Sequence, residues 1–215
     1  MNNQLKTTQD FETVLRERHS VRHYDSSVSI SREEIKEMLE LSITAPSSSN
    51  LQPWRFLIID KPELKEKLLP IAFNQNQVVE ASAIIAVLVD MRSYDKAPEI
   101  YNRTAEFGVM NEATRDKMIE NSIKMYGGLP QEVLRRINTF DAGLISMQLM
   151  LIARSKGYDT VPMGGYNADK FKEAFEVPNP LEPAILIALG KAAEEGHPSS
   201  RLTVDEVTYW NSFDK

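Results

Sequence analysis

The chain has 215 residues, 42% hydrophobic and 26% charged, with a formal net charge of -6. That length suits one domain with an ample core, and the acidic balance excludes a general nucleic-acid binder, which needs a basic footprint. The chain has no cysteine, which excludes disulfide scaffolds, thiolate metal sites, iron–sulfur clusters and cysteine nucleophiles.

Any anionic ligand must therefore be held by a local cluster of positive charge. His19, His23 and His197 fall in no zinc-binding spacing, so no metal is expected. The polar start MNNQLKTTQDFE predicts no secretory signal. The longest apolar stretches fall short of the roughly 20 residues that span a bilayer. A soluble, cytoplasmic protein with no membrane or nucleic-acid partner is expected.

Along the chain, Phe11, Val14 and Leu15 predict a short amphipathic helix ending near Arg18. Ser31-Arg32-Glu33-Glu34 reads as a capping box, in which serine and glutamate reciprocally satisfy orphan backbone donors. Ile35, Met38, Leu39 and Ile43 then form a buried stripe, and Pro46 requires that helix to stop by Ala45. WRFLII (54–59) reads as a strand, and Pro62 opens the next helix where its missing donor is harmless. AIIAVLV (83–89) has the continuous apolar character of a strand buried on both faces.

Residues 91–131 are polar, with Gly127, Gly128 and Pro130 near the end. They read as a helical excursion or lid above a site, a plain surface insertion being equally open. From about 140 to 156 the chain is apolar almost all round, predicting a central helix with Gly157 as C-cap. Residues 158–161 look strand-like, and AILIAL (184–189) reads as another interior strand. The tail from 202 to 215 carries Val207, Tyr209, Trp210 and Phe213, apolar weight that predicts packing on this subunit or on a partner. Strands alternating with helices give an α/β or α+β fold.

Four stretches are candidates for chemistry. Arg18, His19, Ser20 and Arg22 could clamp a phosphate, since the planar guanidinium fork matches its oxygens; a solvated basic helix end is the other reading. Pro46, Ser47, Ser48, Ser49 and Asn50 form a polar turn between a buried helix and a strand. Such groups can bond the edge of a flat heteroaromatic ligand, or simply form a serine-rich loop. In Pro162-Met163-Gly164-Gly165, paired glycines allow close backbone approach to a ligand, or an ordinary turn. Ser199-Ser200-Arg201 could complete the phosphate clamp or lie on the surface. Phosphate-loop, dinucleotide-fingerprint and nucleophile-elbow motifs are absent.

Taken in order, RHSVRHY (18–24), APSSSNLQPWRF (45–56), FNQNQVVEAS (73–82), FDAGLISMQLMLIARSKGYDTVPMGGY (140–166) and SSRL (199–202) resemble the FMN-dependent nitroreductase family. The resemblance implies a single 1–215 domain of α+β fold, with a central mixed sheet flanked by helices. Residues 91–131 would be the lid and 202–215 a C-terminal arm. It further implies an intertwined homodimer binding FMN at its interface, with NADH or NADPH as hydride donor and a small aromatic acceptor such as a nitroaromatic or quinone.

By position, Arg18, His19, Ser20 and Arg22 would hold the phosphate, ribityl chain and pyrimidine edge. Pro46, Ser47, Ser48 and Asn50 would reach the ring from the other subunit, and Asn74 and Gln77 would face its polar edge. Backbone at Gly164 and Gly165 would lie against flavin N5, Pro162 and Met163 would also belong to the cofactor site, and Arg201 would complete the phosphate site. Gln77 and Ser199 stand where many members carry lysine, and Gly164 where many carry glutamate, leaving Arg22 the main cation near the ring. The flavin would perform the chemistry, with no catalytic side chain. Reductive dehalogenation or another specialised flavin reaction, and a non-catalytic flavin-binding protein, are the alternatives.

Overall fold

The computed structural model describes residues 10–194 and 196–213. Most of the polar start, and the last two residues of the tail, lie outside the described residues. The elements in order are α1 (Phe11–Glu17), α2 (Arg32–Ser42), β1 (Trp54–Ile59), α3 (Pro62–Leu68), α4 (Gln77–Glu80) and β2 (Ala83–Asp90). They continue with α5 (Ala97–Glu106), α6 (Glu112–Gly127), α7 (Gln131–Ser155), β3 (Asp159–Met163), α8 (Ala168–Ala174), β4 (Leu181–Gly190) and α9 (Val204–Val207).

The four strands form one sheet in the order β1-β2-β4-β3, and every neighbouring pair is antiparallel. The expected mixed sheet is thus corrected: among the described residues its one parallel element is an isolated bridge between Ser20 and Thr160. The α+β class stands.

β2 is central, which explains its unbroken apolar run. Ile85, Val87 and Val89 face a core built with α2, α5 and α7, whereas Ile84, Ala86 and Leu88 face a second core with α3 and α8. Side chains alternate across a strand, so a strand buried on both faces has no polar face to show. β4 divides in the same way, with Ile187 and Leu189 on one side and Leu186 and Ala188 on the other. Pro162 sits in β3, an edge strand where a missing donor is tolerated; Pro183 falls in β4 where the register slips opposite Val87 and Leu88.

Local signals operate as their chemistry dictates. Ser31 caps α2 with the reciprocal Glu34 box. Pro62 opens α3. Gly157, at φ 82°, ends α7 in a Schellman motif: Tyr158 N–H donates to the Ala153 carbonyl and Gly157 N–H to that of Arg154. α7 begins at Gln131, earlier than the apolar run suggests, because Pro130 starts it and Leu134 and Asn138 already lie on its buried stripe. The 91–131 excursion is helical, folding into a short turn and the α5–α6 pair. Among the described residues the tail leaves its large aromatics uncovered: Trp210 is 84% and Phe213 83% exposed.

Candidate functional site

The segment after α1 is held against the sheet. Arg18 is the C-cap of α1, and Val21 N–H donates to the Thr160 carbonyl, beside the Ser20 bridge to β3. Arg154 secures this junction from α7, pairing with Glu17 at 2.8 Å and with buried Asp159 at 2.9 Å. The His19 Nδ1 lies 2.7 Å from the Glu17 carbonyl. Since a carbonyl only accepts, Nδ1 donates this bond.

Among the described residues, no ion pair engages the Arg18 or Arg22 guanidinium. Ser20 and Arg22 line a cavity of about 70 Å³ together with His23, Glu194, Gly196 and His197. A Cβ on Gly196 would fall 2.7 Å from that of His19, so the glycine is what lets this loop close on the arginine segment.

Two further expected stretches meet past the other end of β3. Gln75 Nε2 donates to the Gly165 carbonyl at 2.7 Å and to that of Ala72 at 2.9 Å. Gln77 is buried and donates to Gln75 Oε1 at 2.9 Å, so its amide braces Gln75 instead of standing free at the surface. Asn74 is exposed in a left-handed conformation, φ 56°. Lys65 steadies this segment from α3, its Nζ donating to the Val79 and Ala81 carbonyls at 3.0 and 2.6 Å. Burial holds that ammonium below the usual lysine range. Met163 is buried and Pro162 half-buried, whereas Gly164 and Gly165 are exposed. A Cβ on Gly164 would meet nothing within 4 Å, and on Gly165 only Gln75 Nε2 at 3.6 Å. Packing within this chain does not require either glycine.

The serine-rich turn is elsewhere. Its hydrogen bonds run to α5, α6 and α7 or within the turn, and among the described residues none reaches the arginine, Gln75 or glycine segments. Ser48 donates its N–H to both carboxylate oxygens of Asp141 at 3.1 and 3.0 Å, and its hydroxyl to Oδ1 at 3.1 Å. Ser49, Asn50 and Gln52 have φ of 50°, 52° and 46°. Left-handed backbone costs a non-glycine residue about 1–2 kcal/mol, so several anchors are needed to hold it. Ser47 Oγ accepts from Gln52 N–H at 3.0 Å, and Pro46 is exposed.

Asp141 is only 2% exposed. Burial raises its carboxyl above the ordinary 3.8, and the bonds from Ser48 offset this in part. A carboxyl so raised keeps its proton longer folded than unfolded, so stability falls as pH climbs from 3.8 through the raised value. The unfolding free energy of the wild type minus that of Asp141→Asn should therefore decline across that window and level off above it. Urea denaturation at a series of pH values checks this; a pH-independent difference contradicts it.

Arg201 bonds Ser199 Oγ at 2.6 Å and the Ser200 carbonyl at 2.9 Å, and no described contact joins it to the arginine segment. His197, not singled out in the sequence as a ligand group, lies nearer to Ser20 and Arg22. Asp141, Gln75, Arg154 and His197 carry no local motif, so spacing alone could not expose them.

An edge strand flanked by guanidiniums that pair with no carboxylate among the described residues, an imidazole and open glycine backbone suits a ligand with an anionic tail and a flat body. The profile of the "Nitroreductase family" matches residues 15–191. Over 205 residues the chain is 47% identical to a Bacillus subtilis (strain 168) protein named "Putative NAD(P)H nitroreductase YdgI", covering 94% of this chain and 98% of that one. It is 34% identical over 189 residues to the "CLA biosynthesis enone reductase" of Lactiplantibacillus plantarum, covering 86% and 87%. A crystal structure from Exiguobacterium sibiricum 255-15, of a "putative nitroreductase in complex with FMN", superposes with a TM-score of 0.91 at 44% identity, covering 96% of this chain and 99% of that one. The chain belongs to the Nitroreductase family and is an oxidoreductase of that family. Among the described residues no helix is long and apolar enough to cross a membrane.

Proposed function

We propose that this chain is an FMN-dependent NAD(P)H oxidoreductase that reduces small electron-poor acceptors and works as a homodimer. The observation that carries it is the division of the site. Arg18–Arg22 is bridged to β3 at Thr160 and Gln75 bonds the Gly165 carbonyl just past the end of β3, so these stretches border one edge strand, while the serine-rich turn proposed to cover the ring is tied to α5–α7. The arginine segment borders two cavities, about 70 Å³ at Ser20 and Arg22 and about 510 Å³ at His19 and Val21, and no residue of the serine-rich turn lines either, so in one copy the site lacks its cover. A second copy supplying its own Pro46, Ser47, Ser48 and Asn50 would close it.

The exposed surface agrees with a second copy. Phe11, Leu41, Leu144, Met147 and Leu151 line an apolar groove of about 660 Å³ along α7, and the exposed aromatic tail is long enough in apolar weight to need a partner.

The residues fit FMN. Arg18 can donate to and orient its phosphate, with His19, Ser20 and Arg22 beside it and Arg201 completing the clamp. Gly164 and Gly165 leave room for a ring that a Cβ would crowd. When bound, FMN supplies the hydride relay between NAD(P)H and the acceptor. The protein binds, orients and excludes water, and Arg22 places positive charge where negative charge accumulates. The likeness to an enone reductase adds an α,β-unsaturated ketone to nitroaromatics and quinones as acceptor classes.

The purified protein should be yellow, sediment as a dimer, and bleach on anaerobic addition of NADPH or NADH. Re-oxidation by a nitroaromatic, a quinone or an enone then ranks the acceptors. A colourless monomer that takes up no added FMN overturns the reading; a flavin that stays oxidised with either donor overturns the enzymatic part.

A further inference from the structure

Among the described residues, the hydrogen bonds from the lid helices to the serine-rich turn converge on Ser49. Tyr101 on α5 donates its hydroxyl to the Ser49 carbonyl at 2.7 Å, and Tyr126 on α6 shares a 2.9 Å hydrogen bond with Ser49 Oγ. Both tyrosines are buried. Tyr101 has one proton, given to Ser49, so the Ser122 hydroxyl of α6 donates to it across 3.1 Å. The result is a closed circuit, Ser122–Tyr101–Ser49–Tyr126, that begins and ends on α6. Its loop member is the first of three residues held at positive φ.

The neighbouring Ser48 is fixed separately by Asp141 of α7. The turn is thus anchored on one side by the long core helix and on the other by the excursion. Ser49 cannot keep its left-handed backbone and shift relative to α5 and α6 without breaking one of these bonds.

We propose that Tyr101 and Tyr126 are positioning residues through which the lid helices set the turn that covers the flavin. This rests on the FMN-bound dimer reading above. The turn's strained backbone is held in place by the lid, so displacement of α5 or α6 by a bound acceptor carries Ser49 and its neighbours with it. The lid acts on the ring through hydrogen bonds as well as by covering it.

The test uses the full-length protein with Tyr101→Phe and Tyr126→Phe, each removing only a hydroxyl. Tyr94→Phe is the control, a lid tyrosine whose ring lies beside Gly127 and whose hydroxyl makes no hydrogen bond to the turn among the described residues. Ser49→Ala removes the Tyr126 partner from the turn's side and keeps the backbone link to Tyr101. Three quantities are read: amide exchange of residues 47–52 without flavin, FMN affinity, and the visible circular dichroism of FMN at saturation. The two Phe variants should exchange faster over 47–52, raise the FMN Kd about fivefold each, as loss of one neutral hydrogen bond implies, and lose part of the flavin dichroism. Ser49→Ala should match Tyr126→Phe, and Tyr94→Phe should match the wild type.

Faster exchange with FMN affinity and dichroism equal to the control overturns the positioning role, since a merely structural tether would leave both unmoved. Exchange equal to the control overturns the tether itself. A wild type that takes up no FMN overturns the cofactor reading instead. The positioning role then falls with it, and the exchange data alone decide the tether.

Discussion

Replacing Arg18 with alanine is expected to weaken FMN binding about 10- to 150-fold, the equivalent of the roughly 1.5–3 kcal/mol carried by a hydrogen bond to a charged group. Arg18 caps α1 and is half-buried, and among the described residues no carboxylate pairs with it. A guanidinium paired with a carboxylate would have to give up that partner to bind an anion. An unpaired one gives up only water. Arg154, two carboxylates already engaged, supplies the contrast: it shapes the wall and is not available to a ligand. Fluorescence titration of the flavin-free protein measures the effect, and a Kd equal to the wild type removes Arg18 from the site. The loss should shrink as salt rises, because exposed charge pairs are screened.

Phe171→Ala should destabilise the protein by about 3–5 kcal/mol, lowering the unfolding temperature by about 6–20 °C for a chain of this size. Phe171 is completely buried in the second core, edge-on to Tyr166 at 6.0 Å and tilted over Phe175 at 4.8 Å. Tyr166 directly follows Gly165, so the cavity opens beneath the glycine backbone. Thermal unfolding of the flavin-free protein gives the stability term, and FMN affinity below the unfolding transition gives the local one. A shift under about 2 °C, less than a single kcal/mol would produce, would falsify the view that this small core supports the glycine wall.

The elements that sequence reveals well are those whose causes are local. The Ser31 capping box, the Pro62 helix start, the Gly157 helix end and the two-faced burial of 83–89 each involve neighbours within a few residues. Each appears as read. The long central helix was legible only where it is apolar all round. Its first turns keep a single buried stripe, Leu134 and Asn138, amid polar residues, and they begin at Pro130. The sheet's antiparallel order was not legible, since a strand buried on both faces has the same composition in either orientation.

For the site, residue types were legible and their partners were not. The hydroxyls, guanidiniums and glycines stand out as a pattern in order along the chain. Gln77 gave no sign that its amide turns inward to Gln75, nor His197 that it lies beside Ser20 and Arg22.

By itself, then, the sequence determined the four strands, several of the helices with some of their ends, and which polar groups a ligand could use, because those depend on periodicity and on bonds closed within one turn. Only the tertiary structure decided how these groups are held. Ser48 meets Asp141 across 93 residues and Gln75 meets Gly165 across 90. Such pairings depend on how sheet and helices pack, and no short-range pattern records them.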